Sequence, residues 1–320
     1  MKCFLAGGSG MLGRAILRLN ENSSSPFLIR ACSHNQKWTL KPSKTTEYIQ
    51  SDLSETVDSS IFIDCDTLIM SAAITGGIKM NSQRPEDQIN GNLKLMANIF
   101  SLLPTSKIKK IIFISSATVY QDSVALLSED ELDLNLPPPV SIFGVGWTFR
   151  YVEKLLQFWG NKLNLEVIIL RAGNIFGPFD KFDPDRSNFI PALITKGIKK
   201  IDPFEIFGPR DTTRDLIYCD DLASLVIKCI YKDHPSLSIY NASWGVPITI
   251  QNALDKILIL SEHAPKKINW LKSTFPTTHK RLLNCNKVKS SLDWKPNFTF
   301  DDALRITIDW WKKNQLTWTK

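Results

Sequence analysis

Short apolar runs alternate with helix-spaced apolar positions along most of this chain. Residues 2–6 predict a buried strand, and apolar residues at 12, 16, 17 and 19 predict a helix after it. Further strands are predicted at residues 27–29, 65–70, 110–114, 167–170 and 216–218. Strands that alternate with helices in this way indicate an α/β fold with a Rossmann-type, doubly wound parallel sheet.

Two of the predicted strands run directly into small residues. Residues 65–70 lead to Ser71, Ala72 and Ala73, and residues 110–114 lead to Ser115 and Ser116. Ligands of a doubly wound sheet bind at the carboxyl edge of its strands, where small side chains leave room for them. We therefore expect the ligand site at this edge.

The first strand is followed at once by a glycine-rich turn over residues 7–13. Such glycines let the backbone turn sharply and approach a pyrophosphate, whose charge then lies at the N-terminus of the next helix. Between a strand and a helix, this pattern indicates dinucleotide binding rather than a simple tight turn. The expected cofactor contacts in the turn are Gly7, Ser9, Gly10, Met11, Leu12 and Gly13.

Length and composition predict one large globular unit in two lobes. The chain has 320 residues, of which 43% are hydrophobic and 22% are charged. We expect a dinucleotide-binding lobe over residues 1–170, to which 211–235 returns. A smaller α/β substrate lobe is expected over residues 171–210 and 236–320.

Charge and cysteine patterns argue against several classes of partner. The net charge of +7 comes from dispersed lysines without interleaved aromatics, so nucleic acid is not expected. No apolar run approaches the about 20 residues of a membrane span, and no signal-peptide pattern opens the chain. A cytoplasmic protein without membrane contact is therefore expected. The six cysteines and four histidines have no ligand spacing, so no metal is expected.

Several further motifs follow in a characteristic order. They lie at residues 52–53, 72–73, 75–78, 115–120, 171–178, 190–193, 210–221 and 292–296. Together with the glycine turn they resemble the extended short-chain dehydrogenases that modify nucleotide sugars, within the NAD-dependent epimerase/dehydratase family. The resemblance is greatest to GDP-L-fucose synthases, and it spans nearly the whole chain.

The resemblance implies further cofactor contacts. Asp52 and Leu53 would hold the adenine, Ala72 and Ala73 would line the pyrophosphate and ribose path, and Ser115 and Asn174 would border the cofactor. For Asp52 the alternative is a carboxylate at the N-terminus of a helix. Because residues 28–34 contain no acidic residue for a ribose 2′-hydroxyl, NADP(H) is favoured over NAD(H). Arg30, His34 and Lys37 are candidate phosphate partners, with a solvated surface charge as the alternative for each.

The catalytic serine of the family falls at Ser116, whose hydroxyl can donate to a sugar oxygen. In the family a tyrosine and, four residues later, a lysine complete the site. Phe143 and Trp147 occupy these two positions here, in a helix with an apolar stripe at 145, 149, 152, 156 and 159. Phenylalanine has no proton to transfer, and tryptophan offers only an indole N–H. Arg150 is always charged and is expected at the surface or at a subunit contact.

The resemblance also implies a pocket for a sugar nucleotide. Thr75, Asn174 and Asn188 would line it. Arg210 and Arg214 would bind diphosphate or ribose, because a guanidinium binds phosphate oxygens bidentately. For Arg214, a salt bridge to a nearby aspartate, 215 or 221, is the alternative.

One activity within the family is not expected. Fucose synthases carry a cysteine after the catalytic serine and a histidine before the Ile-Pro stretch, and these residues move protons in a 3,5-epimerisation. Ala117 and Asn188 stand at those positions here.

Two hypotheses follow for function. The chain is either an NAD(P)-dependent reductase or epimerase of a nucleotide-activated sugar, or a catalytically impaired pseudoenzyme that binds the same ligands in a regulatory or assembly role. Helices around 84–103 and 144–160 correspond to the family's dimer surface, so a homodimer is expected.

Overall fold

The central element is a seven-stranded parallel sheet. The structure is a computed structural model that describes residues 1–34, 43–77, 80, 83–123, 125–183, 185–272 and 282–318. The strands of the large sheet are β1 (Lys2–Ala6), β2 (Leu28–Ser33), β3 (Thr46–Gln50), β4 (Thr67–Met70), β5 (Lys110–Ser116), β7 (Glu166–Ala172) and β11 (Leu237–Ala242). Their spatial order is β11-β7-β5-β4-β1-β2-β3. The strand order reverses between β1 and β4, and such a switch point is where open α/β sheets bind ligands.

Several of the helices pack on the two faces of the large sheet. The described helices are α1 (Met11–Glu21), α2 (Pro85–Leu102), α3 (Phe143–Leu163), α4 (Phe189–Ile198), α5 (Cys219–Tyr231), α6 (Ile250–Leu260), α7 (Asn286–Leu292) and α8 (Phe300–Asn314). α1 packs against α5, and α2 packs against α3. Right-handed crossovers in opposite directions from the switch point put these two pairs on opposite faces.

The sheet is buried because its strands are apolar along both faces. The inner positions of β1, β4 and β7 are fully buried isoleucine, leucine, valine and phenylalanine. Burial of each such side chain contributes about 1.5–3 kcal/mol, which explains why uninterrupted apolar runs predicted these strands correctly.

Short strands build smaller sheets beside the large one. They are β6 (Leu126–Leu127), β8 (Asn174–Phe176), β9 (Phe204–Phe207), β10 (Thr213–Tyr218), β12 (Pro247–Thr249), β13 (Ile268–Leu271) and β14 (Leu282–Leu283). β10 lies between β12 and β8, β9 pairs with β13, and β6 pairs with β14. The predicted strand at 216–218 therefore exists within β10, but it pairs in a smaller sheet.

The boundary between the two lobes stays a prediction. One fact bears on it: β11, which lies within the predicted substrate lobe, pairs with β7 along residues 237–242 in the large sheet. α5, which lies within the segment 211–235, packs on α1.

The described residues lack two features, a membrane-spanning helix and a cluster of metal ligands. No helix in these ranges is long and apolar enough to cross a membrane. No group of three or more His, Cys, Asp or Glu side chains in the same ranges could hold a metal ion.

Candidate functional site

The glycine turn lies at the switch point and is packed too closely for side chains. Gly7 has a φ of +84°, and an added Cβ there would lie 2.7 Å from the backbone nitrogen of Ala72, in the segment that follows β4. A Cβ on Gly13 would lie 2.7 Å from the Cα of Gly8 and would clash with the Gly7 carbonyl oxygen. The absence of side chains therefore lets α1 begin directly against β1 and β4.

The N-terminus of α1 has no side-chain cap. Gly10 is the N-cap residue, and no acidic residue stands in the first turn of the helix, which begins with Met11 and Leu12. The free backbone N–H groups and the positive end of the helix dipole favour a negatively charged ligand. Ser9 is buried, and its hydroxyl lies 2.8 Å from that of Ser33 at the end of β2. The turn thus has the geometry and charge that a pyrophosphate requires.

Asp52 lies beyond the end of β3, beside His34. One carboxylate oxygen accepts hydrogen bonds from the backbone nitrogen (2.9 Å) and hydroxyl (2.7 Å) of Ser54, and the other lies 3.0 Å from His34 Nε2. The hydroxyl of Ser54 is the main reason that the pKa of Asp52 lies below its ordinary value. A turn, not a helix, follows at residues 53–55, so the helix N-terminal alternative for Asp52 is wrong. Leu53 is buried beside it.

Arg30 has a different environment from either of those predicted for it. Its guanidinium is buried, and it donates to Glu47 at 2.9 Å and to the carbonyl of Ile63 at 2.7 Å. It is neither a solvated charge nor directed to a ligand, because the middle of β2 faces the segment around residues 59–63. The prediction of Arg30 as a phosphate partner is therefore wrong, because Glu47 and a backbone carbonyl bind its guanidinium. Lys37 lies outside the described residues.

A loop with small side chains follows β4. Ala72 is half-buried and Ala73 is exposed. The next residue, Ile74, is fixed at both its backbone groups by the side chain of Asn92 in α2, with two hydrogen bonds of 2.9 Å. Asn92 therefore holds this loop in place against the helix.

The serines at the end of β5 point to opposite sides, as alternate residues of a strand do. The Ser116 hydroxyl is half-buried at the strand end and accepts from the backbone nitrogen of Thr118 at 3.2 Å. The Ser115 hydroxyl is buried and donates to Glu153 of α3 at 2.6 Å. The Ser116 hydroxyl is thus partly accessible at the carboxyl edge of the sheet, whereas the hydroxyl of Ser115 already has a protein partner.

Glu153 belongs to a buried polar network beneath the site. Its carboxylate forms a salt bridge with Arg171 of β7 at 2.8 Å, and Arg171 also donates to the hydroxyl of Tyr120 at 2.9 Å. The Tyr120 hydroxyl donates to Asn241 at 2.7 Å, and burial raises the pKa of Tyr120 to about 12. Tyr120 therefore links the segment after β5 to β7 and β11, and its buried hydroxyl already has both a donor and an acceptor partner.

The first two turns of α3 place Phe143 and Trp147 on the solvent side. Phe143 is 51% exposed and Trp147 is 38% exposed, with their rings edge to face at 6.4 Å. The Trp147 ring stacks on the guanidinium of Arg150 at 4.7 Å. Arg150 is buried and donates to the carbonyls of Val119 and Leu136, both at 2.6 Å. The expectation of a surface or subunit-contact role for Arg150 is therefore wrong, because these two carbonyls bind it.

The opposite side of α3 packs on the sheet. Phe149 stacks on Phe113 of β5 at 5.9 Å, and a Cβ on Gly146 would lie 2.6 Å from the Thr118 carbonyl oxygen. Val145 lies one turn before Phe149 on the same side and is half-buried. The assignment of Phe143 and Trp147 to the tyrosine and lysine positions stays a prediction, and Val145 with Phe149 is a second pair at the same spacing. Neither pair carries a phenol or an ammonium.

The predicted pocket residues come from three separate segments. Thr75 accepts a hydrogen bond from Lys181 at its hydroxyl (2.8 Å), and Asn188 is the exposed N-cap residue of α4. A Cβ on Gly77 would clash with the Ser187 carbonyl, so the segments around 75–77 and 186–188 are in contact. Asn174 is exposed and begins β8, opposite Leu216 of β10.

The two predicted arginines lie on or near β10. Arg210 is exposed and its guanidinium lies 5.1 Å from the centre of the Trp270 ring. Arg214 is half-buried, and burial lowers the pKa of its guanidinium. Asp215 accepts from the backbone nitrogens of Leu283 (2.8 Å) and Gly245 (3.3 Å), and burial raises its pKa to about 6.

Asp221, the other aspartate considered for Arg214, accepts from the Trp244 indole at 3.0 Å. Within the described residues, no salt bridge joins Arg214 to Asp215 or Asp221, so that alternative is wrong.

Sequence reasoning missed three side chains of this region: Arg14, Asn92 and Glu153. Each is a buried polar residue within an otherwise regular helix. A polar residue on the buried stripe of an amphipathic helix was the available signal, since such a residue requires a hydrogen-bond partner. The identity of that partner depends on tertiary contacts.

The doubly wound sheet, the glycine turn and the serine at the end of β5 define a short-chain dehydrogenase of the extended type. The chain belongs to the NAD dependent epimerase/dehydratase family, since the sequence model of that family matches residues 3–243.

Relatives span almost the full length of the chain. GDP-L-fucose synthase 1 of Arabidopsis thaliana is 24% identical over 98% of this chain and 94% of its own, and probable GDP-L-fucose synthase 1 of Oryza sativa subsp. japonica is 26% identical over 99% and 93%. Among solved structures, the UDP-glucuronic acid 4-epimerase of Bacillus cereus in complex with UDP-glucuronic acid and NAD superimposes with a TM-score of 0.83. It is 21% identical, and the match covers 98% of this chain and 99% of that one. The structural likeness confirms the predicted fold.

Proposed function

We propose that this protein is an NAD(P)(H)-linked reductase or epimerase of a nucleotide-activated sugar that works without the tyrosine and lysine of its family, and therefore slowly. The observation that carries the proposal is the uncapped N-terminus of α1 beside a glycine turn with no space for side chains. These features occur in a chain whose relatives are named GDP-L-fucose synthases.

The cofactor would lie across the switch point. Gly7, Gly10 and Gly13 would hold its pyrophosphate, with Ala72 and Ala73 along the ribose path and Asp52 and Leu53 near the adenine. NADP(H) is proposed over NAD(H) because residues 28–34 contain no carboxylate, although the B. cereus relative is described with NAD. When bound, the nicotinamide supplies hydride transfer to or from a sugar carbon.

The substrate pocket would be formed where β8 and β10 meet the segments around residues 75 and 188. Arg214, half-buried on β10, and Arg210 suit the diphosphate or ribose of a nucleotide because their planar forks bind phosphate oxygens in pairs. Asn174, Thr75 and Asn188 offer amide and hydroxyl groups for sugar hydroxyls. The base and the sugar are left open.

Proton transfer is the step for which the site has lost its usual groups. Hydride transfer at a hydroxyl-bearing carbon requires that the hydroxyl proton leave or arrive at the same time. Ser116 can donate a hydrogen bond to that oxygen, but a serine hydroxyl does not act alone as a base near neutral pH. Loss of a general acid or base costs about 10² to 10⁴ in rate, so turnover is expected to be slow rather than absent.

A specific observation favours the second candidate function, a pseudoenzyme that binds dinucleotide or sugar nucleotide in a regulatory or assembly role. Over residues 143–150, in the first two turns of α3, the only ionisable side chain is that of Arg150, and carbonyl groups hold it in place. Such a protein would keep the binding groups of the family without the groups for chemistry.

A homodimer is proposed through α2 and α3, and a cytoplasmic location stays a prediction. Tyr151 and Phe158 lie two turns apart on one exposed side of α3, with Tyr151 55% and Phe158 51% exposed. Aromatic residues are enriched in interfaces between subunits. Light scattering on the eluting protein tests this: a dimer is expected, and a monomer that remains at high protein concentration would exclude it.

The experiment that tests the function begins with calorimetric titration of NADPH, NADH, GDP-sugars and UDP-sugars. Turnover is then assayed on whichever pair binds. Binding with slow turnover supports the enzyme, binding without turnover supports the pseudoenzyme, and no binding would reject both.

Two matched double variants test which pair of positions in α3 corresponds to the tyrosine and lysine of the family. One combines Phe143→Tyr with Trp147→Lys, and the other combines Val145→Tyr with Phe149→Lys. Restoring a general acid is expected to raise turnover by about 10² to 10⁴ in the pair that faces the cofactor, and not in the other. Thermal unfolding of both variants controls for damage to the core at Phe149. If both variants fold and neither gains turnover, the site lacks more than the tyrosine and lysine of the family.

A further inference from the structure

Arg14 of α1 turns back onto the glycine turn from which its own helix begins. It is buried, and its Nε donates to the carbonyl of Ser9 at 2.8 Å. Its backbone nitrogen donates to the carbonyl of Gly10 at 2.9 Å. The side chain of Arg14 thus fixes the Ser9 carbonyl of the segment that would hold the pyrophosphate, and the helix backbone fixes the next carbonyl.

Two aromatic rings from distant parts of the chain enclose the Arg14 guanidinium. It lies 4.8 Å from the centre of the Phe179 ring and 5.5 Å from that of Trp318. The two rings contact each other edge to face at 5.3 Å, and the Trp318 indole donates to the carbonyl of Asp180 at 2.9 Å. Phe179 follows β8 and Trp318 follows α8, so three segments that are far apart in sequence meet at Arg14.

The charge and the backbone of this cluster both favour a functional role. A cation near the positive end of a helix dipole destabilises the helix by itself and becomes favourable when an anion lies at that end. Phe179 has a φ of +67°, a conformation that is costly for a bulky residue and persists only where its surroundings enforce it. The cluster is therefore held in a strained arrangement beside an expected anion site.

We propose that Arg14, enclosed by Phe179 and Trp318, is a positioning residue for the dinucleotide turn, so that the C-terminal segment sets the affinity for the cofactor. This inference rests on the proposed function, because it assumes that the turn binds NAD(P)(H). Loss of the Trp318 ring would leave the guanidinium free to move and would loosen its hydrogen bond to the carbonyl of Ser9.

The test compares Trp318→Ala with Leu316→Ala, a matched control in the same segment, since Leu316 is 95% exposed. In NADPH titration the Kd is expected to rise about three- to tenfold for Trp318→Ala and not for the control, as the strength of a cation–π contact implies. Trp318→Phe should recover most of the affinity, because a ring is retained. In an Arg14→Gln background, Trp318→Ala should add little further loss.

Hydrogen exchange in the ligand-free protein separates positioning from general destabilisation. Trp318→Ala is expected to speed amide exchange over residues 9–15 while leaving β5 and β7 unchanged. An unaltered Kd in Trp318→Ala, with a wild type that binds NADPH, would overturn this inference alone. A wild type that does not bind NADPH would overturn the proposed function and this inference with it. Equal acceleration throughout the protein would identify Trp318 as a stability residue only.

Discussion

α1 and α3 both begin at the carboxyl edge of the large sheet, but their first turns differ in what they offer a ligand. The start of α1 follows a glycine turn that is packed too closely for side chains, and it has neither a side-chain cap nor an acidic residue in its first turn. Such a helix N-terminus suits a pyrophosphate. The start of α3 offers Phe143, Trp147 and a guanidinium held by two carbonyls. In the proposed function, ligand binding and proton transfer therefore depend on different helices, so that one can be kept while the other is lost.

The largest expected effect concerns the role of α3 as a support for the sheet. Glu153→Ala would leave Arg171 buried without its carboxylate, and it should lower the free energy of unfolding by about 3–5 kcal/mol. Denaturant unfolding measures this loss. Lys154→Ala, at an exposed neighbouring position, is the control. A loss below about 1 kcal/mol for Glu153→Ala would show that the network contributes little.

Two glycines of the turn separate an effect on stability from an effect on NADPH binding at the N-terminus of α1. A Cβ on Gly13 would overlap the Gly7 carbonyl, so Gly13→Ala should cost about 1–3 kcal/mol of stability and also weaken NADPH binding. A Cβ on Gly10 would have the Gly7 carbonyl oxygen, at 3.1 Å, as its one close neighbour. Gly10→Ala should therefore weaken binding while changing the melting temperature little. Parallel melting and titration experiments compare the two, and normal NADPH affinity in Gly10→Ala would place the ligand elsewhere.

The smallest expected effect is a pH dependence at Asp52. Its pKa is lowered in the folded protein, so its ionised form stabilises the fold above about pH 4, and this contribution disappears as the pH falls through the folded-state pKa. Ser54→Ala should cost less than about 1 kcal/mol near neutral pH and still less in acid, because the carboxylate is partly exposed. In an Asp52→Asn background the cost should not vary with pH. A cost that is constant with pH in both backgrounds would contradict this account.

Local signals predicted much of the fold. The strand, turn and helix over residues 2–21 follow from apolar runs and glycines that are neighbours in sequence. The helical stripe from Val145 to Trp159 correctly identified the side of α3 that packs on the sheet. Strand 216–218 was also found, but its partner was not, because pairing depends on residues more than 30 positions away.

The candidate site was less predictable where partners are distant. Ser115 is adjacent to Ser116 in sequence, yet its hydroxyl binds Glu153, which lies 38 residues later. Arg150 looked like a surface charge because a guanidinium is always ionised, and backbone carbonyls bind it instead. Every residue has a backbone carbonyl group, so the sequence carries no signal of which carbonyl will accept a hydrogen bond from a given side chain.

The most direct test of the central claim is calorimetric titration of the wild-type protein with NADPH, with Gly10→Ala as the reference. The account predicts saturable binding by the wild type and a clear loss of affinity in the variant. Absence of binding by a folded wild-type protein, or equal binding by both, would contradict it.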